Sequence, residues 1–174
     1  AAWWKVHQSQ VPSNLGAEIE RELTRLKVAK DQVRSIEAIC QKELVEGKQP
    51  MVAQLMRLGA VGPRSAWLLV KEVFGWRQFA NRRELAGSLG LVPTPYASGG
   101  SEIEQGISKS GKKRARTLLV ELAWSWGRLQ PHSKLTQWFS RRFASSGKRM
   151  RRVGIVAMAR RLAIALWRFV TDGE

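Results

Sequence analysis

The run from Tyr96 to Arg116, YASGGSEIEQGISKSGKKRAR, sets a serine before two glycines and follows it with five cations. A serine hydroxyl is a weak nucleophile until it is activated and placed against an electrophile surrounded by positive charge. Ser98 precedes Gly99 and Gly100, which let a backbone approach a phosphate closely, and Lys109, Lys112, Lys113, Arg114 and Arg116 stand shortly downstream. These residue types suit attack on a phosphodiester. The spacing supplies no base for the serine, Glu102 and Glu104 being merely near. From the residues alone the run reads more readily as a Gly-rich turn in which Ser98 has a turn residue's role. Ser101, Ser108 and Ser110 are the other hydroxyls within it.

The charge around this run points to a polyanion. The net charge of +16 is uneven: residues 1–50 carry eight Lys/Arg against seven Asp/Glu, and the remainder carry twenty-two against seven. From Gln105 to Arg152 there are thirteen basic residues and one acid, Glu121. A like-charged excess of that size repels itself unless a polyanion neutralises it, and nucleic acid is the expected partner. A membrane surface is the competing polyanion. The most apolar segment, VGIVAMARRLAIALWRFV, is interrupted by Arg160, Arg161 and Arg168, so it does not read as a bilayer span of about 20 apolar residues.

Cys40 is the single cysteine and His7 and His132 are the two histidines, so neither a disulfide framework nor a metal-ligand cluster is expected. A reducing, cytoplasmic compartment fits. The chain opens on AAWWKV without an initiator methionine and reads as part of a longer protein.

The elements that must position these groups follow from periodicity. After VPSNLG, where Ser13 or Asn14 offers a capping oxygen, Ile19, Leu23, Leu26, Ala29, Val33, Ile36, Cys40 and Leu44 recur at steps of three and four. This predicts a long helix over 17–48 with one narrow apolar stripe, of coiled-coil type and suited to self-association, preceded by a tail at 1–16. Gly47 to Pro50 ends it, and a second domain is expected over 49–174.

QLMRLGAVGPRSAWLLVKEVFG has the form helix, glycine turn, helix, resembling a helix-hairpin-helix. Gly59 and Gly62 are expected to supply backbone conformations closed to other residues, and Pro63 suits a first helical turn. Gly62 and Arg64 are the candidate phosphate contacts of that turn. ANRRELAGSLGLVP predicts a short helix with Asn81 and Glu84 spaced for a capping box and Gly90 at its end.

From Pro93 to Gly111 the prolines and glycines predict a long loop without regular structure. Two further helices follow, KKRARTLLVELAWSWGRLQ and one carrying Leu135, Trp138 and Phe139. A final helix has Ile155, Val156, Ala159, Ala163, Leu166 and Val170 as its core stripe. Cations at a helix start oppose the helix dipole, a cost that a bound phosphate would reverse. A further basic cluster, Arg141, Arg142, Lys148, Arg149, Arg151 and Arg152, lies around the last turn. The eight tryptophans are expected mainly in the core. The fold class is all-α, with a long coiled-coil-type helix and an internal Gly/Ser-rich loop.

The ordered string GLVP, SGG, ISKSG and VAMARRL, spread over roughly residues 50–172, resembles the C-terminal transposase domain of the insertion sequence 110 family, the Piv-like serine recombinases. VHQSQVPSNLGAEIERELTRLK is similar to that family's linker helix. The resemblance implies an enzyme in which a serine attacks DNA to form a covalent phosphoserine, the matching position being Ser98. It implies a partner domain of RuvC-like fold whose acidic DEDD residues bind a divalent metal, magnesium, outside this chain, and no cofactor within it. It also implies DNA as substrate, a structured bridge RNA as guide in some members, and a bacterial, nucleoid-associated protein. Gly99, Gly100, Lys109, Lys112, Lys113, Arg114 and Arg116 would hold the strand, and the Arg141 to Arg152 cluster would bind DNA or RNA backbone. Ala60 stands where the family usually has glycine, Ser110 where it usually has arginine and Lys112 where it often has asparagine. The alternative function is a non-catalytic helix-hairpin-helix module that binds nucleic acid.

Overall fold

The computed structural model describes residues 2–75, 77–98 and 101–173, with the side chains of Ala2 and of 95–105 outside that description. It is mostly helical, in two units, Ala1–Gln49 and Pro50–Glu174.

In the first unit a short helix α1 (Ala2–His7) and a 3-10 turn (Gln8–Gln10) lead into α2 (Ser13–Val45). The tail expected at 1–16 is therefore mainly helical, and Trp4 is buried with its indole over Gly16, where a Cβ would stand 3.6 Å from Cη2. The capping expectation fails. α2 begins at Ser13 itself, with Pro12 at the cap and no side-chain bond to the first amides. Proline's fixed φ suits a helix entry, so the turn forms without a capping oxygen. Surface pairs Arg21–Glu18, Arg25–Glu22 and Arg34–Asp31 follow the i,i+3 spacing and contribute at most about 0.5 kcal/mol each. No residue of α2 is buried; along its apolar stripe Leu26, Val33 and Ile36 are exposed, while Ile19, Leu23, Cys40 and Leu44 are half-buried. The helix ends at Val45, short of the expected 48, and Gly47, in the left-handed region at φ 70°, closes it: Lys48 N–H donates to Glu43 O and Gly47 N–H to Leu44 O.

The second unit is built on α8 (Lys148–Thr171). It packs against α3 (Pro50–Met56), α5 (Arg82–Ser88), α6 (Lys113–Leu129) and α7 (Lys134–Phe143). Ile155, Met158, Ala159, Leu162, Ala163 and Leu166 form its buried face at the 3.6-residue period, each large side chain contributing about 1.5–3 kcal/mol. Opposite them lie Val52, Leu55, Leu85, Leu119, Leu122 and Ala123. α4 (Pro63–Leu69) continues into a π-helical segment, Val70–Phe74, which closes on a Gly75 N–H to Val70 O bond of 2.8 Å.

Three expectations need correction. The stretch after Pro93 is an antiparallel hairpin, β1 (Pro93–Ser98) with β2 (Ser101–Ile107), and not an irregular loop. Pro93 and Pro95 are compatible because both strands are edges, and the register slips by one residue between them opposite Gly106, at φ 80°. Second, neither Gly59 nor Gly62 has a positive φ. Gly62 is extended at φ −78° with open space around an added Cβ, and a Cβ on Gly59 would meet only the Gln130 side-chain amide, at 3.1 Å. Third, among the described tryptophans Trp3 and Trp124 are exposed, at 62% and 43%, so those two are not core.

Candidate functional site

α5 opens on Asn81, whose Oδ1 accepts from Arg83 N–H at 2.9 Å and Glu84 N–H at 3.0 Å. Glu84 reaches back one residue further than a capping box predicts, its Oε2 accepting from Ala80 N–H at 2.9 Å while Arg77 Nη2 donates to Oε1 at 2.7 Å. The Ala80 amide first, then the Arg77 guanidinium, hold the Glu84 carboxyl below its ordinary range. The helix closes on Gly90 at φ 65°: Leu91 N–H donates to Ala86 O and Gly90 N–H to Gly87 O. That pair of bonds is a Schellman motif and turns the chain into the hairpin.

Below the hairpin the two chain legs stay side by side. Ser108 N–H donates to Val92 O at 2.9 Å, Lys109 N–H to Gly90 O at 3.2 Å and Lys112 N–H to Ser88 O at 3.1 Å. Two glycines make this approach possible. A Cβ on Gly90 would stand 2.0 Å from Ser110 O, and one on Gly111, at φ 82°, would stand 2.1 Å from Ser88 O. Between the legs the Arg116 guanidinium donates through Nη1 to Leu89 O at 3.1 Å and to Ser110 O at 3.2 Å. One carbonyl belongs to the chain entering the hairpin and the other to the chain leaving it.

The candidate residues fall in four places. Ser98 ends β1, paired with Ser101, and its side chain lies outside the described residues, as do Gly99 and Gly100 altogether. Ser108 and Ser110 stand at the hairpin base, hydroxyl to hydroxyl at 3.0 Å. The cations of the basic helix divide. Lys109 and Lys113 are exposed, while Lys112 Nζ donates to Glu72 O, Arg114 pairs with the Glu72 carboxylate at 3.4 Å, and Arg116 is half-buried on its two carbonyls. Glu72 lies in the π-helical segment, where the end of the helix leaves carbonyls without intrahelical donors, so Lys112 satisfies one of them. Lys109 is left-handed at φ 56°, alone among the described non-glycine residues.

Gly62 and Arg64 are exposed at the α3–α4 turn. Arg141 and Arg142 at the end of α7 and Lys148, Arg149, Arg151 and Arg152 at the start of α8 are all exposed. The α6–α7 connection that sets this second cluster is pinned by Ser133, whose Oγ accepts from Trp126 Nε1 at 3.0 Å and Thr136 N–H at 3.1 Å. Neither α6 nor α8 has a capping side chain or an acid in its first turn, so both helix starts bring cations to the positive end of the dipole. That arrangement is unfavourable in the chain by itself and favourable with phosphate present.

Sequence reasoning did not separate Arg116 from its basic neighbours. The signal was its place beside the apolar stripe, next to buried Ala115 and three residues before buried Leu119. Among the described residues no group of three or more His, Cys, Asp or Glu side chains could hold a metal ion, and no helix is long and apolar enough to cross a membrane.

Residues 52–137 match the sequence profile of the transposase IS116/IS110/IS902 family. The chain is 37% identical over 174 residues to a Sinorhizobium fredii protein named transposase y4rJ, the match covering 94% of this chain and 44% of that protein. It is 29% identical over 145 residues to the transposase for insertion sequence element IS1328 of Yersinia enterocolitica, covering 82% of this chain and 42% of the relative. To the transposase for IS1111A of Coxiella burnetii it is 31% identical over 123 residues, covering 70% and 33%. The chain thus spans less than half the length of each of these relatives. The matched region runs from α3 into α7 and contains the hairpin, both base glycines and Arg116. Residues 52–137 are thus a domain of the IS116/IS110/IS902 transposase family.

Proposed function

We propose that in the whole transposase Ser98 is the nucleophile that breaks a DNA strand. One observation carries this reading: within the matched family domain, β1 ends on Ser98, away from a hairpin base that is bonded to the first turn of the basic helix α6. As the Ser98 Oγ–phosphorus bond forms, one phosphorus–sugar oxygen bond breaks. The serine proton passes to a base outside the residues assigned here, and the departing sugar oxygen takes up a proton. The phosphodiester becomes a phosphoserine diester, so the step is reversible and rejoining needs no external energy source.

Lys109 and Lys113 beside the hairpin hold the attacked strand, with Gly99 and Gly100 allowing its close approach. Gly62 and Arg64 contribute at the α3–α4 turn. The exposed Arg141, Arg142, Lys148, Arg149, Arg151 and Arg152 hold the backbone of DNA and of a structured guide RNA. The reading assigns a divalent metal, magnesium, to the acidic residues of a RuvC-like domain of the whole protein. The exposed stripe of α2 joins two copies of the protein, and its DNA substrate keeps the assembly at the bacterial nucleoid.

The test uses the full-length transposase with its element-end DNA and magnesium, denatured after reaction and examined for a covalent protein–DNA adduct. Ser98→Ala is expected to abolish the adduct and leave DNA affinity unchanged. An adduct that persists in Ser98→Ala moves the chemistry to another residue. Absence of any adduct from the parent protein replaces the reading with a nucleic-acid-binding module.

A further inference from the structure

Resting on the reading of Ser98 as nucleophile, we propose that Arg116 is a positioning residue, the clamp that sets the direction of the hairpin, and not a phosphate contact. One guanidinium nitrogen of Arg116 is shared between Leu89 O and Ser110 O, the two carbonyls that face each other across the hairpin's legs. Both hydrogens of Nη1 are used in this way, so that nitrogen meets a phosphate only by giving up one of the carbonyls. Arginine suits this place because its charge lies on a rigid planar group, whereas a lysine ammonium is a mobile point charge on a flexible stem.

The surroundings are cut to fit it. A Cβ on Gly90 would stand 2.7 Å from Arg116 Nη1, so this glycine clears room for the guanidinium as well as for the opposite leg. Lys112, four residues earlier on the same helix, donates Nζ to Glu72 O and N–H to Ser88 O, which anchors the first turn of α6 on both sides. The clamp therefore connects the hairpin to a helix that is itself fixed.

A two-stranded hairpin has little stability alone, so its direction is dictated at the base. At about 3.3 Å per residue, the six residues of β1 place Ser98 roughly 20 Å from the clamp. Over that length a tilt of only about 3° at the base displaces the end by about 1 Å, and a displacement of about 1 Å can lower a rate by about a hundredfold. Arg116 acts on Ser98 through this lever.

The experiment compares full-length transposase carrying Arg116→Lys, Arg116→Ala or Lys113→Ala with the parent. Three quantities are read: the first-order rate of adduct formation at saturating DNA, the salt dependence of DNA affinity, and hydrogen exchange at the Ser108, Lys109 and Lys112 amides. For both Arg116 variants we expect the adduct rate to fall about ten- to a hundredfold, with affinity and salt slope as in the parent. Exchange at the three amides rises, and added methylguanidine restores part of the Arg116→Ala rate. Lys113→Ala should behave in the opposite way, its log–log salt slope falling by about 0.9 while exchange is unchanged.

A salt slope reduced by about 0.9 in Arg116→Ala, with amide exchange unchanged, would overturn the proposal and make Arg116 a phosphate contact. So would an adduct rate equal to the parent's in both variants. If Arg116→Ala fails to fold, Arg116→Lys, which retains the charge, decides the matter by the adduct rate and the amide exchange. Should the adduct persist in Ser98→Ala, the nucleophile reading fails by itself, and the amide exchange still reports on the clamp.

Discussion

Gly154 of α8 lies directly beneath the ring of Phe143 at the end of α7, so close that a Cβ on the glycine would stand 2.5 Å from Cγ. Phe143 is buried and also packs edge-to-face against Trp138 and at a tilt against Phe139, which leaves its ring nowhere to retreat. Gly154→Ala is accordingly expected to push α7 from α8 and destabilise the second unit by about 1–3 kcal/mol. Urea unfolding of the variant should show the loss. Because the α7–α8 turn carries the Arg141 to Arg152 cluster, DNA affinity measured under folding conditions should fall with it. An unchanged unfolding midpoint would mean that the two helices separate at no cost.

Glycines elsewhere in the domain predict the opposite sign. Gly127, inside α6, and Gly87, inside α5, have nothing within 4 Å of an added Cβ. Alanine at either should stabilise by about 0.5–1 kcal/mol through helix propensity and the lowered entropy of the unfolded chain. Gly90→Ala must instead accept a left-handed backbone and a carbonyl at 2.0 Å, and should cost well over 1 kcal/mol. Thermal unfolding of the three variants checks the ordering.

The Glu84 carboxyl gives a pH signature. Its acidity is strengthened in the folded chain, so its contribution is fully present above the ordinary glutamate range and is lost as pH falls through its own lower value. Glu84→Gln should therefore be less stable than the parent at neutral pH, and the gap should close in acid. Denaturant midpoints for both proteins across that range test the sign. A gap that stays constant into strong acid would show that the bonds to Ala80 and Arg77 do not depend on the charge.

The exposed stripe of α2 predicts self-association. Val33→Asp and Ile36→Asp, in positions 48% and 60% exposed, should convert the full-length protein to a smaller species in sedimentation experiments without changing its helix content. A parent protein that sediments as one copy would end this reading of the stripe.

Periodicity made α2, α6 and α8 legible, because each buries or presents one face over several turns and the apolar residues repeat accordingly. Asn81 and Gly90 were legible for a different reason: capping and left-handed turns each demand a particular residue type at one position. The hairpin was not legible. PTPYAS and SEIEQGI lack an alternating apolar face because this two-stranded sheet is held by backbone pairing, and such pairing leaves little mark on side-chain pattern. Arg116 was hidden for a related reason. Its partners are carbonyls of Leu89 and Ser110, and the distance in sequence between those carbonyls closes only once the hairpin has formed. In the α3–α4 turn the glycines suggested unusual backbone and the structure uses an ordinary one; at Gly62 neither conformation nor space requires a glycine.

Lys109 poses a question of design. Its backbone is left-handed at φ 56°, a conformation that glycine or asparagine adopts with less strain and that disfavours a side chain like lysine's by about 1–2 kcal/mol. Anyone optimising this domain for heat resistance would write glycine there, and would be right about the melting temperature. The same edit would remove an exposed cation from the foot of the hairpin, next to Ser108 and Ser110. At this one position durability and the handling of a polyanion are in competition, and the chain as it stands has chosen the second.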